Sequence, residues 1–105
     1  MNLLEGTVSG GAFSRAGFTL PLPVPDGPAI LAIRPEALRL VPGSQATIHR
    51  ITDYGTHGLV DLDLADGTRV KAMVDDARTL AAKSTVDLQP TAISAYRGEA
   101  VIYRS

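Results

Sequence analysis

The segment spanning residues 57–75 carries the pattern that most constrains the fold. Before the dipeptide Asp66-Gly67, apolar residues alternate with aspartates, and after it Val70, Ala72 and Val74 alternate with Arg69, Lys71 and Met73. A period of two places apolar side chains on one face of a β-strand, and Asp-Gly is a strong signal for a two-residue hairpin turn. The segment therefore predicts an antiparallel hairpin, in which aspartates of the first strand lie near Arg69 and Lys71 of the second.

The rest of the chain also consists of short segments that resemble β-strands. Ten glycines and seven prolines separate short apolar runs, a punctuation typical of β-barrels and sandwiches. The run 29–33 is apolar throughout and predicts a central strand buried on both faces. The proline series at 21, 23 and 25 belongs to a sheet edge or a loop. Further strands are expected at 3–9, 17–22, 46–54, 86–89, 91–96 and 100–103. A turn at Gly10-Gly11 should follow the first of these, and a turn at Arg97-Gly98 should join the last two. The one helical candidate, 75–83, is limited to a turn or two.

Length and charge narrow the class of protein. The chain has 105 residues, a net charge of −1 and no cysteine. This length predicts one domain over residues 1–105, and the absence of cysteine excludes disulfides and thiolate chemistry. A near-neutral charge argues against nucleic acid as a partner, because phosphate binding requires a cationic surface. No apolar run approaches the length of a transmembrane helix.

Motifs for catalysis, metal binding and nucleotide binding are not found. His49 and His57 fall on different predicted strands, and no nucleophile with an orienting partner lies at short spacing. The aspartates before Gly67 are explained by a polar strand face and a hairpin; the glutamate that closes a calcium loop would fall at position 72, which is alanine. A Walker A loop is absent. The sequence therefore predicts no catalytic, metal or cofactor-binding residue.

The segment Ile33-Arg34-Pro35-Glu36 is the most informative candidate site. Proline holds Arg34 in extended backbone and ends the preceding strand. It also suits the first position of a short helical turn, whose positive end favours Glu36. One interpretation is a strand stop stabilised by a local charge pair; the other is an exposed charged corner that another domain or subunit binds. An exposed pair is worth only about 0–1 kcal/mol, and both interpretations stay open.

Four segments resemble a known family. They are residues 1–6 (MNLLEG), 31–38 (LAIRPEAL), 51–55 (ITDYG) and 64–68 (LADGT). In this order they resemble the C-terminal TOBE domain, the transport-associated OB-type domain of ATP-binding subunits in bacterial ABC importers of the maltose, polyamine and ferric-iron type. Many members have Leu-Gly where this chain has Tyr54-Gly55.

The resemblance implies an all-β fold of OB-like barrels with at most one or two short helical turns. It implies a non-catalytic regulatory and dimerisation domain that follows an ATPase domain, so this chain is expected to be a C-terminal fragment, with a freestanding domain as the alternative. ATP and Mg²⁺ would bind in the ATPase domain and not here. Expected partners are that ATPase domain, a twin subunit and, indirectly, the membrane subunits, at the cytoplasmic face of the membrane. Partner contacts are expected at Arg34, Pro35, Glu36, Tyr54 and Gly55.

Two other functions are open. Related short domains bind oxyanions such as molybdate, and turn amides with Arg34 or Arg69 could form such a site. An oligonucleotide-binding barrel ranks last, because such proteins use aromatic stacking platforms in a cationic groove, and this chain has five aromatic residues and a net charge of −1.

Overall fold

A computed structural model describes residues 1–105, which form ten β-strands and two 3₁₀ turns. The strands are β1 (Asn2–Ser9), β2 (Ala12–Arg15), β3 (Phe18–Pro21), β4 (Gly27–Ile33), β5 (Leu38–Asp53), β6 (Gly58–Leu64), β7 (Arg69–Val74), β8 (Thr85–Pro90), β9 (Ser94–Arg97) and β10 (Ala100–Arg104). The 3₁₀ turns are Pro35–Ala37 and Ala77–Thr79. The predicted all-β class with at most two short helical turns is confirmed. The chain has no helix with the length and hydropathy of a membrane-spanning segment.

The strands form two antiparallel sheets. The larger has six strands in the order β10-β9-β4-β1-β2-β3, and the smaller has four in the order β7-β6-β5-β8. The first part of β5 pairs with β8 and the second part with β6. At the other end of the smaller sheet, β7 packs against the Pro35–Ala37 turn and against β5. The smaller sheet thereby curls into the predicted OB-like barrel.

One core lies between the two sheets. Twenty buried apolar residues from both sheets form a single cluster. Its largest side chains include Phe13 and Phe18, whose rings meet edge-to-face with centroids 6.4 Å apart. Each sheet therefore covers one face of the other.

The predicted hairpin is confirmed as β6 and β7, with Asp61 opposite Lys71 and Asp63 opposite Arg69. The predicted two-residue turn is wrong. The loop has three residues, because the Leu64 N–H donates to the Thr68 carbonyl and the Gly67 N–H donates to the Leu64 carbonyl. Among the three loop residues, only Gly67 has a positive φ, of 84°. Asp66 avoids a positive φ because its carboxylate accepts the Thr68 N–H at 2.9 Å, which stabilises an ordinary turn before the glycine bulge.

The N-terminal meander has one strand more than predicted. After the confirmed turn at Gly10-Gly11, the chain returns as β2, which the sequence did not reveal, and turns again before β3. β3 lies at the edge of the larger sheet and ends at Pro21, as the proline series predicted. The turn between β9 and β10 lies at Gly98-Glu99, one residue later than expected.

β5 runs through a proline and a glycine that were expected to interrupt it. Its pairing with β8 shifts between Pro42 and Ala46. There the Asp87 carboxylate accepts the backbone N–H groups of Ser44 and Gln45 at 2.9 and 3.1 Å. A Cβ at Gly43 would fall 2.0 Å from the Asp87 carboxyl carbon, so only glycine lets that carboxylate approach. Side-chain hydrogen bonds thus replace the backbone hydrogen bonds that are missing between β5 and β8 at this point, and they keep β5 continuous.

Two side chains of the larger sheet hold the hairpin of the smaller one. Asn2, the one buried polar residue, donates to the Lys71 carbonyl at 2.7 Å and accepts the Lys71 N–H at 2.8 Å. It thereby occupies backbone groups on the edge of β7. Arg15 donates to the Asp66 carboxylate at 2.9 Å and to the Thr68 hydroxyl at 2.8 Å. The two sheets are therefore connected by specific polar contacts as well as by the core.

Candidate functional site

The Arg34-Pro35-Glu36 corner lies between the two sheets. β4 ends at buried Ile33, Arg34 is extended with φ −71° and ψ 146°, and Pro35 occupies the first turn of the 3₁₀ segment. The Ala37 carbonyl accepts the Thr91 N–H at 2.8 Å, which fixes the corner to the chain after β8. The predicted strand stop is confirmed. Arg34 and Glu36 are exposed, and neither forms an ion pair, so the proposed charge pair between them is wrong.

The corner directs its two charges to different surfaces. Arg34 lines a groove of about 340 Å³ with Met1, Ala32 and Arg104 on the larger sheet. Glu36 lines another groove, on the barrel, with residues of β5 and β7. The sequence placed these two residues in one site, but the turn at Pro35 separates their side chains.

Tyr54 and Gly55 form the tip of the loop between β5 and β6. The Asp53 carboxylate accepts the Gly55 N–H at 2.8 Å, and the Tyr54 N–H donates to the His57 carbonyl at 2.9 Å. The Tyr54 ring is 58% exposed and stacks on the His57 ring with centroids 5.2 Å apart. This loop presents a fixed aromatic side chain to solvent, as partner-binding surfaces often do.

An acidic groove lies beside this loop. It is lined by Asp53, Gly55, Asp75, Asp76, Ala77 and Arg78. Hydrogen bonds from the Arg78 side chain and backbone hold the pKa of Asp76 below its ordinary value, and the same side-chain bond raises the pKa of Arg78. Asp75 also lines the groove that contains Glu36. The loop and one half of the corner therefore border adjoining grooves on the barrel, whereas Arg34 lies apart.

The outer face of the larger sheet is a second exposed surface, which the sequence did not predict as a site. Cross-strand pairs align Leu3 with Ala32, Glu5 with Ile30, Ile30 with Tyr96, and Tyr96 with Val101. Paired residues point to the same side of a sheet. Leu3 is 63% exposed, whereas its neighbour Leu4, which faces the core, is 2% exposed. We call the side formed by these six residues (Leu3, Glu5, Ile30, Ala32, Tyr96 and Val101) the open face.

The charges around the open face have no partner within the chain. Glu5, Arg34 and Arg104 take part in none of the ion pairs of the structure. Arg34 and Arg104 share the groove at one end of the face. Glu5 lies at the middle of the β1 pairing with β4, opposite Ile30, and lines a groove with Ile30, Tyr96 and Arg97. Arg97 is itself held by the carbonyls of Pro28 and Pro25 at 2.7 and 2.9 Å.

The sequence did contain a signal for the open face. The apolar run 29–33 predicts a strand buried on both sides, and Ala29, Leu31, Ala32 and Ile33 are buried. Ile30 is half-buried and lies on the open face, beside exposed Leu3 and Val101. Ile30 and Ala32 of the run therefore lie on the side away from the core cluster, where Ile30 stays half-exposed although Ala32 is 9% exposed.

Comparison with known proteins identifies the family. No curated protein matches the chain. The sequence pattern of the TOBE domain matches residues 31–97, which is more than half of the chain and extends from β4 to the end of β9. The match includes the corner, the Tyr54-Gly55 loop and the complete barrel. The chain therefore belongs to the TOBE domain family.

Proposed function

We propose that the chain is the non-catalytic regulatory and dimerisation domain of the ATP-binding subunit of a bacterial ABC importer. The observation that carries this proposal is the TOBE match over residues 31–97. The segments at 1–6 and 31–38 add the resemblance to this class of importer. In this role the domain binds neither ATP nor Mg²⁺, which belong to the ATPase domain of the same subunit, and the complex lies at the cytoplasmic face of the membrane.

The exposed groups fit a domain that works through protein contacts. Arg34, Glu36 and Tyr54 are exposed, and the two charges have no partner within the chain. Exposed charges add little to stability, so their value lies in contacts with the ATPase domain, the twin subunit or a regulator. The membrane subunits would be reached through the ATPase domain.

Tethering makes weak contacts sufficient for this role. Two domains joined to partners that are already close experience an effective concentration in the millimolar range when the tethers are short. A contact too weak to form a dimer of free domains can then keep two ATPase domains together. We expect the isolated chain to dimerise weakly or not at all, and the intact subunit to be a dimer.

Two measurements test this function. The reading frame upstream of Met1 should encode a Walker A motif and an ABC signature motif; a frame without them contradicts the proposed parentage. Analytical ultracentrifugation should then show a dimer for the intact subunit and mostly monomer for the 105-residue chain. Monomeric behaviour of both proteins at equal concentration would remove the dimerisation role.

One observation favours oxyanion binding as a second candidate function. Arg34 and Arg104 line the same groove without carboxylate partners, and Ser94 lines it with them. Two free guanidinium groups and a hydroxyl suit a small tetrahedral anion. Arg69, the other arginine considered for this role, is already bound to Asp63 at 2.6 Å.

Calorimetry with molybdate, sulfate and phosphate tests this second function. Heat of binding should appear for the wild-type chain and disappear in Arg34→Ala and Arg104→Ala. Arg50→Ala is a matched control, because Arg50 is exposed and unpaired on the barrel. No heat from any of the three anions contradicts the oxyanion role.

A further inference from the structure

We infer that Asp26-Gly27 is a site of spontaneous isomerisation to isoaspartate, and that the fold protects a second Asp-Gly sequence, Asp66-Gly67, from the same reaction. The chain contains Asp-Gly at these two positions, and both aspartates are exposed. The inference is independent of the proposed function, because it concerns the covalent chemistry of the chain.

The reaction requires a carboxyl group that is neutral and free to turn. The backbone nitrogen of the following residue attacks the side-chain carboxyl carbon and loses its proton, and the carboxyl hydroxyl leaves as water. Water then opens the cyclic imide at the backbone carbonyl, and the main chain now runs through the side-chain carbon. Glycine favours the attack because it has no side chain beside the nitrogen. A carboxylate that is kept ionised and fixed in place therefore reacts slowly.

The fold binds both oxygens of the Asp66 carboxylate. Oδ1 accepts the Thr68 N–H at 2.9 Å, and Oδ2 accepts a hydrogen bond from Arg15 Nε at 2.9 Å. Arg15 is itself positioned by the Thr68 hydroxyl, to which it donates at 2.8 Å. The Gly67 nitrogen is also engaged, because its N–H donates to the Leu64 carbonyl. Hydrogen bonds from Thr68 and Arg15 lower the pKa of Asp66 as well, so its neutral form is rare.

The Asp26 carboxylate has one such contact. Its Oδ1 accepts the Gly10 N–H at 3.0 Å, and it takes part in none of the ion pairs of the structure. Gly10 belongs to the exposed turn between β1 and β2. The nearby Arg97 donates to two backbone carbonyls and not to this carboxylate. A single hydrogen bond therefore has to break before the carboxyl group can turn towards the Gly27 nitrogen.

Isomerisation at Asp26 would change the start of β4. Gly27 is the first residue of this strand and pairs with β1, and isoaspartate adds one carbon to the backbone immediately before it. Arg97 bridges the same segment, since it donates to the Pro25 carbonyl on one side and to the Pro28 carbonyl on the other. The added carbon should disturb this bridge and the groove that Pro28 and Arg97 line.

Peptide mapping after prolonged incubation tests which site reacts. The chain is kept at neutral pH and body temperature for several weeks, and trypsin then gives the peptides 16–39 and 51–69, each with one Asp-Gly sequence. Isoaspartate is measured by methyl transfer from S-adenosylmethionine with an isoaspartyl methyltransferase. Peptide 16–39 should contain at least about tenfold more isoaspartate than 51–69, and Asp26→Glu should remove this signal. Equal amounts in the two peptides, or an excess in 51–69, would overturn the inference.

Substitutions around the hairpin test the protection. Arg15→Ala frees one carboxylate oxygen and should raise isoaspartate in 51–69 at least about tenfold. Thr68→Val removes the hydroxyl that positions Arg15 but keeps the backbone N–H, and should raise it by a smaller factor. Lys71→Ala removes a different ion pair of the same hairpin and should leave it unchanged. No increase in either of the first two variants, or an equal increase in Lys71→Ala, would contradict the protective role.

The unfolded chain separates the effect of the fold from that of the local sequence. In concentrated urea, the two peptides should gain isoaspartate at similar rates, because each aspartate is followed by glycine and has lost its contacts. A difference that persists in urea would come from the neighbouring residues, and it would overturn the inference that the fold selects the site.

Discussion

The outer faces of the two sheets differ in how their charges are arranged. On the barrel, Asp63 contacts Arg69 at 2.6 Å and His49 at 3.7 Å, and Asp61 lies 3.7 Å from Lys71. On the larger sheet, Glu5, Arg34 and Arg104 have no such partner, and exposed leucine and valine lie between them. The charges of the hairpin therefore have partners within the chain, although Glu36 and Arg50 of the barrel do not, whereas Glu5, Arg34 and Arg104 beside the open face have none.

This difference suggests where partners bind on this TOBE domain. A face whose charges pair within the chain gains little from a partner, because those pairs would have to be broken or desolvated. A face with unpaired charges around an apolar centre gains both ion pairs and apolar burial when covered. The comparison therefore directs attention to β1, β4, β9 and β10 and away from the hairpin that the sequence marks most clearly.

The largest expected effect tests the assignment of the two sides of the larger sheet. Leu4→Ala removes a side chain that is 2% exposed, and should lower the free energy of unfolding by about 2–5 kcal/mol. Leu3→Ala, one residue earlier on the same strand, should change it by less than about 0.5 kcal/mol. Urea denaturation of both variants checks this. Equal losses would mean that the face containing Leu3 is covered within the chain, and the comparison would fail.

A smaller effect is expected at the junction of the two sheets. Asn2→Ala leaves the N–H and carbonyl of Lys71 without their buried side-chain partner. The free energy of unfolding should fall by about 1–3 kcal/mol, measured by urea denaturation. Ser9→Ala at the exposed end of the same strand is the control, with a change within about 0.5 kcal/mol. A neutral Asn2→Ala would show that this clamp does not hold the hairpin.

Removing one carboxylate from each outer face sharpens the comparison further. Asp63→Asn loses the contacts with Arg69 and His49 and should lower stability by about 0.5–1 kcal/mol. Glu5→Gln loses no contact within the chain, so its effect on the monomer should lie within about 0.5 kcal/mol. Thermal unfolding at low protein concentration and low salt measures both. A larger loss in Glu5→Gln than in Asp63→Asn would contradict the contrast between the faces.

The smallest effect is expected on the pH dependence of stability in acid. Hydrogen bonds from Thr68, with a smaller contribution from Arg15, hold the pKa of Asp66 below its ordinary value of 3.8. A carboxyl whose pKa is lowered by folding stabilises the protein above its unfolded pKa, and this stability is lost as the pH falls through the folded pKa. Stability should therefore decrease below pH 3.8, and the decrease should be shallower in Asp66→Asn. Urea midpoints across this pH range, with Asp26→Asn as the control, measure the difference.

Most strands could be predicted because their signal is local. Alternation around Asp66-Gly67 identified β6 and β7, and the apolar run 29–33 identified β4. The errors in strands and turns arose where a side-chain hydrogen bond, which no local sequence pattern reveals, sets the backbone conformation. The Asp66 carboxylate stabilises a three-residue loop in place of a two-residue turn. The Asp87 carboxylate binds backbone N–H groups of β5 just after Pro42, so the strand continues beyond that proline. β2 escaped prediction because four residues are too few to establish a period.

The candidate site was less predictable because it depends on tertiary structure. Sequence grouped Arg34 with Glu36 because they lie two positions apart, but the 3₁₀ turn directs them into different grooves. The open face unites residues from both ends of the chain, such as Leu3 and Val101, that no local pattern connects. Only the order of strands in the sheet places them side by side.

The most direct test of the open face is a concentration series of ¹H–¹⁵N spectra of the chain, up to about 1 mM. We predict that the amide shifts which change with concentration belong to Leu3, Glu5, Ile30, Tyr96 and Val101 and to their neighbours on the larger sheet. Shifts confined to the barrel, at Tyr54, Met73 and Asp75, would contradict the account.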